Sequence, residues 1–333
     1  MRFVICTFIL AALVGCDDET SSTPTTTSSS TSAATNGSGG NGTGGNPSEG
    51  GTGGMSYEGV DPIEGAPDVE LVQGGFGFTE GSVWLASLGV LRFSDIPANR
   101  IHEYDPASGM VIIWREPSGN TNGNAVMPNG DIVMCEQQGR RISRSPAAGA
   151  PMPTTLADAY RGQTFNAPND VIARSDGTIY ITDPTYGLQG PPDIPFRGVF
   201  RVTPTGEVTL VDDTHAQPNG IALSPDEGTL YVTDSEAGGL YSYAVATDGS
   251  TGPGTVLIDA APSDGMAVDD AGNLYLTTGM GVEVYRDDGT PWGVIDVPEQ
   301  PANCAFGGAD RKTLFITART GLYQVPLNVP GKP

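Results

Sequence analysis

PNDVIARSDGTIYITD, residues 168–183, is restated fifty residues later as PNGIALSPDEGTLYVTD, residues 218–234. Each phrase runs from an amide through a strand-like apolar alternation and an Asp/Gly turn into a second, aromatic alternation, which is the pattern of a β-hairpin. Four more segments follow the same plan, starting at Glu80 (EGSVWLASLGVLRFSD), Asn122 (NGNAVMPNGDIVMCE), Asp264 (DGMAVDDAGNLYLTT) and Asn303 (NCAFGGADRKTLFITA). In chain order the six starts lie 42, 47, 50, 45 and 39 residues apart. The turn of each falls eight or nine residues after its start, at Gly89, Gly130, Gly177, Gly228, Gly272 and Lys312. Every unit has sequence left for two further strands, such as GVFRVTP and EVTLVDD after the third.

A lone four-stranded sheet cannot bury both faces, so repeats of this period must stack on their neighbours. The fold class is therefore all-β, a six-bladed β-propeller. The last unit supplies TLFIT and GLYQVPL, while DVELVQ, residues 68–73, precedes the first unit without a hairpin of its own. It is expected to complete the final blade, joining the two ends of the domain and removing an open edge.

The first strand of a propeller blade lies innermost, so its opening residue faces the central channel. The six openers, Glu80, Asn122, Asn169, Asn219, Asp264 and Asn303, all carry side-chain oxygen. Asn or Asp before Gly is an ordinary turn signal. Six in register, one of them a glutamate and all well upstream of the hairpin turns, instead describe an oxygen ring. Such a ring suits one divalent cation: Ca2+ above all, with Zn2+, Mn2+ or Mg2+ as alternatives. No His or Cys opens a blade, which argues against an imidazole or thiolate zinc site.

The rest of the chain limits the partners. Residues 1–16, MRFVICTFILAALVGC, place Arg2 before an apolar run too short to span a bilayer, as in a secretory signal. Its end, Leu13 to Cys16, resembles a bacterial lipobox, with Cys16 as lipid attachment site. Residues 17–58 are Ser, Thr, Gly, Asn and Pro with almost no core-forming side chains, and are expected to be a disordered tether reaching roughly 35 Å. Residues 59–333 are the folded domain. The expected location is the bacterial cell envelope, with membrane contact only through the lipid and the domain a monomer. A net charge of −23, from 16 Lys+Arg and 39 Asp+Glu, excludes nucleic acid as a partner.

GFTEGSVW, FSDIPANRI, CEQQGRRISR, NAPNDVIARSDGTIYITDPTYGL, QPNGIALSPDEGTLYVTD, SDGMAVDDAGNLYLTT and PANCAFGGADRKTLFITARTGLY together resemble the regucalcin (senescence marker protein)/gluconolactonase family, and most of all its bacterial gluconolactonases. The resemblance implies a metal-dependent lactonase that opens a sugar lactone to the hydroxy acid. It implies Glu80, Asn169, Asn219 and Asp264 as metal ligands, with Asp264 also the catalytic base or orienting carboxylate. Asn122, Asn169, Asn303 and Tyr186 are the candidate substrate contacts. Tyr186 lies in a long Pro/Gly-rich stretch, residues 183–198, that exceeds the needs of a hairpin. Two rival functions stay open at this level: a non-catalytic binding propeller braced by its cation, or a hydrolase of another ester or an organophosphate.

This chain departs from its relatives at Gln137, where bacterial members carry His, and at Ala167, where animal regucalcins carry Arg. If either side chain contacts sugar hydroxyls in the relatives, these departures leave open the sugar specificity that the resemblance implies. His102 is expected to be structural and His215 to lie in a surface loop. Arg140 and Arg141 are expected to pair with nearby carboxylates, and Cys135 and Cys304 to stay unjoined.

Overall fold

The computed structural model describes residues 56–332. The signal-like segment, most of the Ser/Thr/Gly-rich tether and Cys16 lie outside the described residues. Among those described, six four-stranded antiparallel sheets form, each built from consecutive strands except the last. Blade one, for example, is Thr79–Leu85, Val90–Asp95, Arg100–Asp105 and Met110–Arg115. The innermost strands touch in the order one to six and back to one, closing a ring. Blade six takes Pro301–Gly307, Thr313–Ala318 and Gly321–Pro326 from the C-terminal region and its outer strand, Glu70–Gly74, from the N-terminal side. That strand pairs antiparallel with Gly321–Pro326, so the six-bladed closure read from the sequence holds.

The core is a set of wedges between blades rather than one central mass. Val133, Ile142, Phe165, Ile179 and Phe200 fill the junction of blades two and three. Ile221, Val232, Val199 and Tyr243 join blades three and four, while Tyr275, Val282, Ile316 and Val325 join five and six. Leu91, Phe93, Phe315 and Leu322 close six onto one. Each fully buried side chain of this size contributes about 1.5–3 kcal/mol, so every blade depends on both neighbours. Cys135 and Cys304 are buried free thiols in separate wedges.

The hairpin turns follow the repeat with one variation. Gly89, Gly130, Gly177 and Gly272 take left-handed backbone, whereas in blades four and six that conformation falls one residue earlier than the sequence pattern indicates, on Glu227 and Arg311. Near the channel, five of the six inner strands carry a register shift at or beside the opening residue, as between Glu80 and Val83 or Ser263 and Met266. A bulge bends the strand locally and re-aims a side chain. In blades one, two, four and five the glycine after the opener, Gly81, Gly123, Gly220 and Gly265, permits it. A Cβ on Gly81 would sit 1.9 Å from the Asn122 carbonyl oxygen, and one on Gly220 would sit 2.5 Å from that of Asp264. The Asn-Gly and Asp-Gly pairs are thus close approaches between neighbouring inner strands, not hairpin turns.

Candidate active site

A cavity of about 400 Å³ opens at the end of the channel where the inner strands begin. Glu80, Asn122, Asn169, Asn219 and Asp264 line it together with Tyr186 and Gln137. Asn303, the sixth opener, is buried outside this lining, where its Oδ1 accepts a hydrogen bond from Ser82 Oγ at 3.3 Å.

Two clamps, both contained in the repeated phrase, hold the openers in place. The hydroxyl that closes the second strand of one blade donates to a carbonyl at the start of the next blade. Ser94 donates to Asn122 O (2.7 Å), Thr182 to Asn219 O (2.7 Å), Thr233 to Asp264 O (2.8 Å) and Thr277 to Ala302 O (3.0 Å). The aspartate that follows the hydroxyl secures the chain leading into its own blade's opener. Asp95 accepts from Gly77 and Phe78 N–H, Asp183 from Asn166 and Ala167, and Asp234 from Ala216 and Gln217. Ala167 therefore contributes its backbone N–H to Asp183.

The electrostatics of the cavity are those of unpaired anions. Burial pushes Glu80 well above the usual carboxylate range, and the charges of Asp264 and Asp170 push it further. Burial likewise raises Asp264 to about 7, with Asp170 adding to the rise and a hydrogen bond from Asn219 opposing it. Asp170 itself is raised to about 7 by burial, although Val171 and Ile221 N–H both donate to it. None of the three forms an ion pair among the described residues.

The donor set is all oxygen: two carboxylates at the cavity, a third behind them, and amide carbonyls. No three His, Cys, Asp or Glu side chains among the described residues gather closely enough to hold an ion alone, so amide oxygens must complete any coordination sphere. That composition, with uncompensated buried negative charge, suits a hard divalent cation.

Asp170 is the residue the sequence reading missed. The position after the opener is glycine in four blades, Gly81, Gly123, Gly220 and Gly265, and the aspartate at 170 breaks that pattern. This is a signal that was available.

The Tyr186 loop is partly anchored. Ile194 is fully buried, Phe196 packs on Tyr160 and Phe200, and Thr185 N–H donates to Gln217 Oε1 at 3.0 Å. Tyr186 remains 41% exposed at the cavity. Gln137 is buried beside it, its Oε1 within 2.8 Å of where a Cβ on Gly187 would sit. A rim guanidinium, Arg319, lies over the Phe78 ring and donates to Gln300, and both partners line the cavity.

The remaining candidates fall elsewhere. His102 stacks on Phe93 in the wedge of blade one, a structural role. His215 corrects the expectation of a surface loop: it is 6% exposed, its Nε2 lies 2.6 Å from Tyr243 Oη, and Tyr241 packs against its ring. Arg141 pairs with Glu136 at 2.7 Å and Arg140 with Asp193 at 3.1 Å, as expected.

The raised carboxylates have a measurable consequence. In cation-free protein, Glu80, Asp170 and Asp264 keep protons at pH values where an unfolded chain, titrating near 4, has lost them. The folded state then binds more protons, so stability falls as pH rises from about 4 to about 7 and the penalty vanishes below that window. The melting temperature of chelated protein is expected to drop by several degrees across this range, and saturating calcium to flatten most of the drop. Asp183, also raised to about 7 by burial but clamping a loop away from the cavity, leaves a residual slope. A flat profile in chelator contradicts the account of the cavity charges.

A family model described as SMP-30/Gluconolactonase/LRE-like region matches residues 78–320. The gluconolactonase of Zymomonas mobilis is 32% identical over 289 residues, covering 77% of this chain and 80% of that protein. Among solved structures, a gluconolactonase from Xanthomonas campestris is 32% identical with a TM-score of 0.74, covering 81% of this chain and 92% of that one. A calcium-binding regucalcin from Agrobacterium tumefaciens shares the fold at 22% identity and a TM-score of 0.68, over 79% of this chain and 94% of that one.

Proposed function

This chain belongs to the SMP-30/gluconolactonase/LRE-like family, a family of lactonases, and on that premise we propose that it hydrolyses a sugar lactone at the channel mouth with the help of one divalent cation. The observation that carries the reading is the pair of buried carboxylates without an ion-pair partner, Glu80 and Asp264, set among side-chain amides in a cavity large enough for a monosaccharide lactone. Glu80, Asn169, Asn219 and Asp264 would hold the cation, calcium being the best match to an all-oxygen set. When bound, it supplies Lewis acidity for the lactone carbonyl and for water.

The chain's own residues do the rest. Asp264 takes the proton from the attacking water and returns it to the ring oxygen as the ester C–O bond breaks, leaving the open hydroxy acid. Asn122, Gln137 and the Tyr186 hydroxyl orient the sugar hydroxyls. Phe78 and Ile96 give the lactone ring an apolar wall. The same proposal makes the protein an exported monomer held to the cell envelope through a lipid on Cys16. Its support is the sequence of residues 1–58.

The test is acid release in a pH-stat on five- and six-membered sugar lactones, beside an open-chain ester and an organophosphate. Sugar lactones are expected to turn over fastest. Turnover of only the ester or the organophosphate would move the substrate class, and turnover of none, with calcium, zinc or manganese present, would contradict the proposal.

A further inference from the structure

Two carboxylates, Glu80 and Asp264, line the cavity, and no lysine or arginine does. One cation stands at the rim. Arg319 lies in the short turn between Thr313–Ala318 and Gly321–Pro326, with left-handed backbone at φ 43°. That turn is pinned to blade one, because the Arg319 carbonyl accepts from Thr79 N–H at 2.8 Å and from Thr79 Oγ1 at 3.4 Å. Thr79 immediately precedes Glu80, so the arginine is held in register with the first opener.

The exposed guanidinium lies 5.3 Å from the centroid of the Phe78 ring and donates to Gln300 Oε1. A guanidinium carries five N–H donors in a planar fork, and the Gln300 amide takes one of them. Arg319 forms no ion pair among the described residues. Glu299, beside Gln300 in the chain, is spent elsewhere: its oxygens accept from Thr320 N–H at 2.7 Å and from Tyr323 Oη at 2.8 Å. The Arg319 charge is nevertheless felt inside the cavity, where it opposes the rise of the Asp264 carboxyl.

A guanidinium that served only to neutralise the cavity acids would pair with one of them. Arg319 instead rests on an aromatic wall of the cavity with donors to spare. A chain of net charge −23 repels anions over most of its surface, so an unpaired fork at the mouth marks a place where one is admitted. The fork matches the paired oxygens of an anionic group, a carboxylate being the simplest fit to its plane.

We propose that Arg319 is a specificity-determining residue that receives an anionic substituent of the lactone, so that the preferred substrate is an acidic sugar lactone rather than a neutral one. The inference rests on the lactonase reading. With the lactone carbonyl at Glu80 and Asp264 and the ring against Phe78, the acidic group meets the guanidinium at the rim.

The experiment compares D-glucono-1,4-lactone with D-glucaro-1,4-lactone, which differ only in a carboxylate replacing the terminal alcohol, in the calcium-saturated full chain. Wild type is expected to favour the acidic lactone in kcat/KM by at least about 10-fold, the scale of a hydrogen bond to a charged group. Arg319→Gln is expected to cut that preference by about 10-fold or more, chiefly through KM for the acidic lactone, and Arg319→Lys, which keeps charge but not the fork, to fall between. Wild type alone supplies a second reading: raising ionic strength from about 0.05 to about 0.5 M is expected to raise KM severalfold for the acidic lactone and less than about twofold for the neutral one.

A smaller wild-type preference, or one for the neutral lactone, overturns the inference, as does an Arg319→Gln variant that keeps the wild-type preference. Equal losses on both lactones overturn it too, because they mark a packing role, and so does an equal salt dependence. Failure of the lactonase reading looks different: neither lactone turns over, and the inference falls with it.

Discussion

Asp264→Asn is expected to lower kcat/KM for the lactone by about 10³-fold, within the range for loss of a positioned acid–base group. The substitution keeps the side-chain shape. The backbone at this point is held independently, by Thr233 Oγ1 on the Asp264 carbonyl and by the close approach of Gly220 to the same oxygen. What changes is charge and proton affinity. Asparagine cannot accept the proton of the attacking water, and it removes half of the negative charge that Glu80 and Asp264 offer a cation.

A second reading of the same variant has the opposite sign. Without cation, burial and then the Asp264 charge hold the proton affinity of Glu80 up, while Asp264 is raised by burial and by Asp170. Removing one charge relieves the other, so Asp264→Asn is expected to melt higher than wild type in chelator at pH 8 while being nearly inactive. Kinetics and thermal melts check the pair. A variant with more than a tenth of wild-type activity contradicts the assigned role, and one that melts lower in chelator contradicts the repulsion.

The second large effect is stabilisation by the cation itself. A ligand that binds only the folded state stabilises by about 2.7 kcal/mol at a hundred times its dissociation constant. For a domain of this size each kcal/mol moves the melting temperature by about 2–4 °C, so a shift of about 5–10 °C is expected. The shift should grow between pH 5 and pH 8, because below about 7 protons already neutralise Asp170 and Asp264 and compete with the cation. Differential scanning fluorimetry with and without calcium at both pH values reads this directly. A shift equal at both, or larger at pH 5, would contradict a site built on these carboxylates.

Fold and site were legible in the sequence to different depths. The propeller was readable because each blade repeats its hairpin, and the oxygen openers because they sit at a constant offset from the turn. Tyr186 was readable because residues 183–198 hold more Pro and Gly than a hairpin connection requires. The clamps were not. Thr233 acts on Asp264 and Thr182 on Asn219, across a blade boundary and 31 and 37 residues away, so their meaning appears only when blades are stacked. Ser235 is similar, a serine after a strand until the fold sets it between Asn219 and Tyr186. His215 read as a loop residue because its partners, Tyr243 and Asp234, come from later strands of the same blade. Asp170 was within reach, being the carboxylate where four other blades place glycine.

The central claim is that lactone hydrolysis runs on a cation held by the oxygen ring, and one measurement bears on it most directly. Protein stripped with chelator and then dialysed is assayed in the pH-stat on the lactone that wild type opens fastest, before and after stepwise addition of calcium. Near-zero acid release that returns to the wild-type rate, saturating at one equivalent of tightly bound cation, is the expected result. Undiminished turnover by the stripped protein, or stripped protein that no divalent cation restores although it remains folded, would contradict the account.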